Sequence, residues 1–157
     1  MEAALKKILI AVDETKGSEK TFSVGSNLCS CMRPENIVLV YVEKFEGKSL
    51  ITEMLGDAEL STLREVLRGS EYQETLDKKA QAILEHYKKS LEEKGLTGIK
   101  TVVKTGNPAD EILNAAREES VEMIVIGSRG KKVSHLFMGS VSREVVDRSE
   151  VPVFLVK

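Results

Sequence analysis

Residues 7–13, Lys-Ile-Leu-Ile-Ala-Val-Asp, hold five consecutive apolar residues between a lysine and an aspartate. A continuous apolar run of this length is typical of a strand that is covered on both faces, as in a parallel sheet. Four more short runs rich in apolar residues follow along the chain, at residues 37–42, 98–104, 123–126 and 151–156. The run at 98–104 partly alternates with polar residues, so we expect it to be less buried than the others.

Segments with helical periodicity separate these runs. Residues 18–32 predict a first helix with Ser18 as its N-cap and with one apolar face. Cys29 and Cys31 fall near that face, so we interpret both as core thiols rather than as a redox pair. Two cysteines without neighbouring metal ligands indicate a reduced, cytoplasmic protein, because secreted scaffolds carry more cysteines in even sets.

The later helices are indicated by their periodicity and by their start and stop signals. From Tyr72 to Leu91, apolar residues recur every three or four positions, and Gly95 then offers a stop. Asn107 before Pro108 is typical of an N-cap followed by proline in the first turn. A last helix is predicted to begin near Gly139-Ser140.

The alternation of strands and helices predicts an α/β fold. We expect a single domain over residues 1–157, with an open five-stranded parallel, doubly wound sheet. This sheet is Rossmann-like, has strand order 3-2-1-4-5 and carries helices on both faces. Residues 44–69 are surplus to this scheme and are interpreted as a variable helical insert, either a lid or interface element or a surface decoration.

Composition excludes several classes of function. The chain has 157 residues, a net charge of −2 and only 4% aromatic residues. It therefore lacks the basic excess of a nucleic-acid coat and the aromatic platforms that stack single strands. No apolar run approaches the roughly 18 residues of a membrane span. We expect no nucleic-acid partner and no membrane association.

Positive charge is concentrated in one window. Residues 128–143 contain four basic residues and no acid, so this window carries +4 while the remaining residues sum to −6. A basic window in an acidic chain is typical of an anion site, and equally of a solvated basic loop.

Glycines give this window its strongest signal. Gly127-Ser-Arg-Gly130 follows the fourth apolar run, and Gly139-Ser-Val-Ser142 opens the last helix after eight intervening residues. Glycine lets a main chain approach a ligand closely, and a helix amino terminus favours phosphate. Asp13, directly after the first run, is interpreted either as a turn residue or as an acceptor for a ribose hydroxyl or an outer-shell metal ligand.

These residues resemble the universal stress protein family, from residues 7–13 to the terminal run at 151–156. The ATP-binding branch of that family carries the same glycine pattern with nine residues in the long spacer, where this chain has eight. The resemblance implies a nucleotide-binding stress-response regulatory protein that binds ATP, or ADP or AMP, with or without Mg²⁺. It also implies a homodimer paired through the C-terminal strand, in which Val153 and Leu155 face their counterparts.

The resemblance also assigns roles to individual positions. Asp13 is expected at the nucleoside end, with Val12 and Val42 lining the adenine slot. Gly127, Arg129 and Gly130 are expected to face the ribose-phosphate region. The expected phosphate ligands are the backbone and hydroxyl groups of Gly139, Ser140, Val141 and Ser142.

Catalysis has little support in the sequence. No general acid–base pair can be assigned, because Asp13 is the one acid that the pattern assigns to the site and His135 is interpreted as a solvent-exposed loop residue. We expect at most slow ATP hydrolysis. Two alternatives stay open at this point: a family member that binds no nucleotide and works through protein–protein contacts, and a slow ATP hydrolase.

Overall fold

The computed structural model describes residues 5–43, 62, 71–128 and 139–157. The predicted insert at residues 44–69 lies outside them apart from Thr62. The strands are β1 Lys7–Val12, β2 Asn36–Glu43, β3 Ile99–Thr105, β4 Met123–Gly127 and β5 Val153–Val156. The helices within the described ranges are α1 Lys16–Met32, α2 Glu71–Glu93, α3 Pro108–Glu118 and α4 Ser140–Arg148.

The predicted α/β architecture is confirmed. All five strands are parallel and follow the order β3-β2-β1-β4-β5. Ile10, in the central strand β1, pairs with Leu39 of β2 on one side and with Val125 of β4 on the other. The chain therefore winds outward from the middle of the sheet in both directions, as in Rossmann-like folds.

Two apolar layers cover the sheet, one on each face. Alternate residues of the strands point to opposite faces, so Ile8 and Ile10 belong to one core and Leu9 to the other, all three with no exposed surface. Helices α1 and α2 pack over the first core, and α3 and α4 pack over the second. This burial explains why the strands read as continuous apolar runs.

Helix α1 begins earlier than its sequence suggests. Its N-cap is Thr15, whose side chain accepts a hydrogen bond from the Ser18 N–H (3.2 Å), so the prediction of Ser18 as N-cap is wrong. Cys29 is buried while Cys31 is exposed, because positions two apart point to different sides of a helix. The prediction of a core thiol is therefore wrong for Cys31. Burial raises the pKa of the Cys29 thiol to about 11.

The cap of α3 follows the prediction. The Asn107 side chain accepts from the Asp110 N–H at 3.1 Å, and Pro108 occupies the first turn. Within the described residues, no helix combines the length and the apolar character needed to cross a bilayer.

A polar contact ties α2 to the end of the sheet. Glu14, in the turn after β1, accepts from the Tyr41 hydroxyl at 3.1 Å and from the Lys79 ammonium at 3.3 Å. Burial raises the pKa of Glu14, but a hydrogen bond to its own backbone and the contacts with Lys79 and Tyr41 outweigh burial and lower it below 4.5. The ionised carboxylate therefore stabilises the packing of α2 on the sheet.

Gly98 should be intolerant of any side chain. It has φ +68, and a Cβ there would collide with the Glu35 carbonyl oxygen, whereas Gly95 has φ +79 and open space around it. We expect Gly98→Ala to cost about 2–4 kcal/mol of unfolding free energy, and Gly95→Ala about 1 kcal/mol from backbone strain alone. Urea denaturation measures both values. Equal losses in the two variants would show that the collision at Gly98 is relieved by movement of the chain.

Glu14→Gln should lower stability in a pH-dependent way. Because the pKa of Glu14 is lowered on folding, its stabilising effect is present above pH 4.5 and is lost as the pH falls through the folded-state pKa. We expect the variant to lose about 0.5–1 kcal/mol at pH 7, and the difference to close in acid. The measurement is urea unfolding at several pH values, with the exposed Glu85→Gln as the matched control. A loss that persists unchanged in acid would contradict the role of the charge.

Candidate functional site

The carboxyl ends of β1 and β4 meet at the middle of the sheet. Since Ile10 pairs with Val125, Val12 and Gly127, each two residues further on, reach the same level of the edge. The chain leaves β1 into α1 on one face and leaves β4 towards α4 on the other face. The two connections therefore diverge and leave a crevice, the position at which open parallel sheets bind ligands.

Asp13 lies on the β1 side of this crevice in a tightly held turn. Its carboxylate oxygen Oδ1 accepts from the Thr15 N–H at 2.7 Å and from the Thr15 hydroxyl at 2.5 Å. Its own backbone N–H donates to the Ser18 hydroxyl oxygen at 2.7 Å. Within the described residues, Oδ2 has no hydrogen-bond partner, so the turn and the acceptor roles predicted for Asp13 are compatible.

Ser128 joins three elements at the β4 side. Its N–H donates to the Val156 carbonyl of β5 at 2.8 Å, and its carbonyl accepts from the Gly139 N–H at 2.7 Å. The Ser142 hydroxyl also lies within hydrogen-bond distance of that carbonyl (3.3 Å) and of the Gly139 carbonyl (3.0 Å). The start of α4 is thus fastened to the end of β4, although ten residues separate Ser128 from Gly139.

The amino terminus of α4 is open to an anion. Its N-cap Gly139 offers no side-chain cap, and its first turn contains no acid. The first intrahelical bond is donated by Arg143 to the Gly139 carbonyl at 3.0 Å. The N–H groups of residues 140–142 therefore have no hydrogen-bond acceptor in the part of the chain that the structure describes. Such groups, aligned with the helix dipole, favour a phosphate.

The remaining predicted site residues divide by exposure. Ser140 is exposed and Val141 is half-buried, whereas Ser142 is buried, with its hydroxyl directed at backbone carbonyls. Val12 packs in the core beneath α1 and α2, while the half-buried Val42 packs on the opposite face. Their side chains therefore point to opposite faces of the sheet. At the carboxyl edge itself, both positions contribute main-chain groups.

Several predicted residues cannot be located. Arg129 and Gly130, and the interpreted loop residue His135, lie outside the described residues. Gly127 is half-buried at the last position of β4.

Sequence reasoning missed three polar residues at this edge. Glu14 follows Asp13 directly, and Glu43 ends β2 one residue beyond the apolar run with only 1% of its surface exposed. Ser128 is also buried. Acids that follow apolar strands were a visible signal for Glu14 and Glu43, whereas the role of Ser128 depends on backbone contacts that no pattern reveals.

The site contains few groups suited to chemistry. In the described ranges, no three His, Cys, Asp or Glu side chains come together as a metal site. Burial raises the pKa of Tyr87, a hydrogen bond with Ser18 lowers it, and the negative charges of Glu19 and Asp13 raise it further. The phenol is thus protonated at neutral pH beside the β1 turn.

A cavity of about 300 Å³ lies at the other end of the sheet. The C-terminal ends of α3 and α4 enclose it together with the residues that lead into β4 and β5, and Leu113, Arg148 and Val151 contribute to its lining. It borders the amino ends of the strands. It is therefore separate from the crevice, which has the free helix terminus and the Asp13 turn.

Comparison with known proteins gives a consistent result. The model of the universal stress protein family matches residues 4–157. Universal stress protein MJ0577 of Methanocaldococcus jannaschii is 29% identical over 161 aligned positions, which cover 100% of this chain and 98% of the relative. Its solved structure superposes with a TM-score of 0.77 over 99% of this chain and 97% of that one, at 27% identity. Universal stress protein YxiE of Bacillus subtilis is 32% identical over 153 residues, 96% of this chain and 98% of the relative.

Two more distant solved structures share the fold. One is a universal stress protein in complex with cAMP, with a TM-score of 0.65 and 18% identity over 98% of both chains. The other, from Archaeoglobus fulgidus in complex with dAMP, has a TM-score of 0.59 and 18% identity over 99% of this chain and 100% of that chain. The family model spans residues 4–157 and the fold is shared with a solved relative over 99% of this chain, so the chain belongs to the universal stress protein family.

Proposed function

We propose that the chain is a stress-response regulatory protein that binds one adenine nucleotide, ATP or its products ADP and AMP, in the crevice between β1 and β4. The amino terminus of α4 carries this proposal. Its first N–H groups have no acceptor among the described residues, and its first turn has neither a side-chain cap nor an acid. It lies next to the end of β4, which the glycine motif follows in the sequence. Phosphate is the group that such a terminus favours.

Each residue has a distinct role in this proposal. Asp13 accepts a hydrogen bond from a ribose hydroxyl through Oδ2, the oxygen that Thr15 leaves free. The backbone at Val12 and Val42 borders the base, and Gly127, Arg129 and Gly130 lie along the ribose and first phosphates. At α4, the N–H groups of Ser140, Val141 and Ser142 hold phosphate oxygens, and the Ser142 hydroxyl positions the helix. Gly139 was expected among the phosphate ligands, but its N–H is already donated to the Ser128 carbonyl, so its role is to let the main chain approach the ligand closely.

The shorter spacer is compatible with this role. The spacer between Gly130 and Gly139 has eight residues instead of nine, and Gly139 nevertheless lies at the edge of the sheet, where its N–H donates to the Ser128 carbonyl at 2.7 Å. The cAMP and dAMP complexes of the two more distant structures support the adenine nucleotide as ligand class. If Mg²⁺ accompanies the nucleotide, Asp13 would serve as its outer-shell ligand, and the ion would offset the negative charge of the phosphates.

We place this function in a cytoplasmic homodimer. Strand β5 is an edge of the five-stranded sheet, and no other described strand pairs with its outer side, so a second copy can add there. Phe154 on this strand is 40% exposed, and Val153 and Leu155 are only partly covered. Both cysteines are free thiols, as expected in a reducing compartment.

Nucleotide binding is tested with Ser140→Glu. A carboxylate in the first turn of α4 complements the helix dipole, so the fold is not weakened, but it repels phosphate. We expect the wild-type protein to release an adenine nucleotide on denaturation or to bind added Mg-ATP. The variant should bind at least about tenfold more weakly, with an unchanged or higher melting temperature. Calorimetric titration and mass spectrometry of the released ligand provide the readouts.

The matched control is Ser23→Glu, which adds the same charge at an exposed position in the middle of α1. It should bind like the wild type. The proposal is lost if the wild-type protein neither releases a nucleotide nor gains thermal stability with millimolar Mg-ATP. Equal affinity in the wild type and Ser140→Glu would move the phosphate away from α4.

The dimer is tested with Phe154→Lys. A lysine on an edge strand opposes pairing with a second strand, so we expect light scattering to give twice the monomer mass for the wild type and the monomer mass for the variant. The control is Val146→Lys, which alters a side chain of equal exposure, 40%, on α4 rather than on the edge. A wild-type monomer at micromolar concentration would contradict the dimer.

A further inference from the structure

The side chain of Ser18 organises the turn between β1 and α1. Ser18 lies in the first turn of α1, five residues after Asp13, and only 5% of its surface is exposed. Its hydroxyl oxygen accepts the Asp13 N–H at 2.7 Å, a short bond for two neutral groups. The bond spans the whole turn and closes it.

The hydroxyl of Ser18 is not required to start the helix. The N-cap function belongs to Thr15, whose carbonyl (3.1 Å) and side-chain oxygen (3.2 Å) both accept from the Ser18 N–H. Removing the Ser18 hydroxyl therefore leaves the cap intact. Two groups lose a hydrogen-bond partner, the Tyr87 hydroxyl and the backbone N–H of Asp13, and of these the Asp13 N–H belongs to the turn.

An aromatic pair lies beside the Ser18 side chain. The ring of Phe22, one turn along α1, packs on the ring of Tyr87 from α2 with a centroid distance of 4.4 Å, and both side chains are buried. Tyr87 also interacts with the Ser18 side chain. Because the Ser18 hydroxyl is nearly buried, its hydrogen bond to the Asp13 N–H is costly to leave unmade, which favours one conformation of the turn.

The two constraints on Asp13 are complementary. Ser18 fixes its main chain, and Thr15 fixes its carboxylate through Oδ1. Together they leave Oδ2 as the oxygen with no hydrogen-bond partner among the described residues. A group held in this way before the ligand arrives pays little ordering entropy on binding, which raises affinity.

We propose that Ser18 is a positioning residue of the nucleotide site, which acts through the backbone of Asp13 and never touches the ligand. This inference rests on the proposed function, in which Asp13 accepts a ribose hydroxyl. If so, the affinity for nucleotide depends on the buried hydroxyl of Ser18 in α1, which interacts with Tyr87 of α2.

The test compares Ser18→Ala with Ser26→Ala. Ser26 is the matched control because it is a serine of the same helix, 1% exposed, whose hydroxyl donates to the Ser23 carbonyl away from the crevice. The first readout is amide hydrogen exchange in the protein without nucleotide. The Asp13 amide should exchange about tenfold faster in Ser18→Ala and at the wild-type rate in Ser26→Ala.

The second readout is the affinity for Mg-ATP, measured with and without Asp13→Ala in the background. Ser18→Ala should weaken binding about five- to tenfold in the wild-type background. In the Asp13→Ala background the same substitution should cause no further loss of affinity, because Ser18 acts through Asp13. A purely structural role would lower the melting temperature of both serine variants without changing affinity.

The outcomes separate this inference from the proposed function. An unchanged Asp13 exchange rate in Ser18→Ala overturns the positioning role, whatever the affinity. Equal weakening of Mg-ATP binding in the presence and absence of the Asp13 carboxylate also overturns it. A wild-type protein that binds no adenine nucleotide overturns the proposed function, and the exchange rate then decides by itself whether Ser18 holds the turn.

Discussion

The central strand β1 is the constraint on which the rest of this structure depends. It hydrogen-bonds to β2 and β4, and Ile8, Leu9 and Ile10 have no exposed surface. A parallel strand buried on both faces requires helices above and below the sheet, and it requires crossovers to connect it to its neighbours. Because those crossovers leave towards opposite faces, the crevice at the carboxyl edge is a consequence of the sheet rather than an addition to it.

Polar contacts at that edge replace apolar packing where the core ends. In the turn after β1, the Asp13 carboxylate accepts a hydrogen bond from the Thr15 N–H. After β4, the Ser128 carbonyl accepts one from the N–H of Gly139 at the start of α4. These bonds are local and use the main chain, so they define backbone positions closely without adding bulk. Such an edge can present N–H groups and a carboxylate oxygen in a fixed arrangement, which is what selective binding of a small anionic ligand needs.

Much of the fold could be predicted because its signals are local. The five runs of apolar residues and the caps at Asn107 and Gly139 marked the elements and their order. Both errors concern the surroundings of a single side chain, which depend on where its helix begins and how that helix packs on the sheet. Thr15 rather than Ser18 caps α1, and Cys31 faces solvent while Cys29 faces the core.

The candidate site was predictable in part for the same reason. The strand ends and glycines predicted where Asp13, Gly127 and Ser140 lie in the sheet, and all three are at its carboxyl edge; their roles toward a ligand stay a prediction. The inward direction of the Ser142 hydroxyl, the opposite faces of Val12 and Val42, and the contact of Glu14 with Lys79 did not follow. Each depends on residues that are distant in sequence or on the phase of a strand relative to its neighbour.

The sequence by itself determined a doubly wound parallel sheet, the family and the concentration of positive charge after the fourth strand, because periodicity, composition and motif spacing are properties of neighbouring residues. Only the tertiary structure decided that Ser128 joins β4, β5 and α4, and that Ser18 holds the main chain of Asp13. The physical reason is that hydroxyl and backbone groups form hydrogen bonds with whatever lies within about 3 Å, and folding alone determines what lies there.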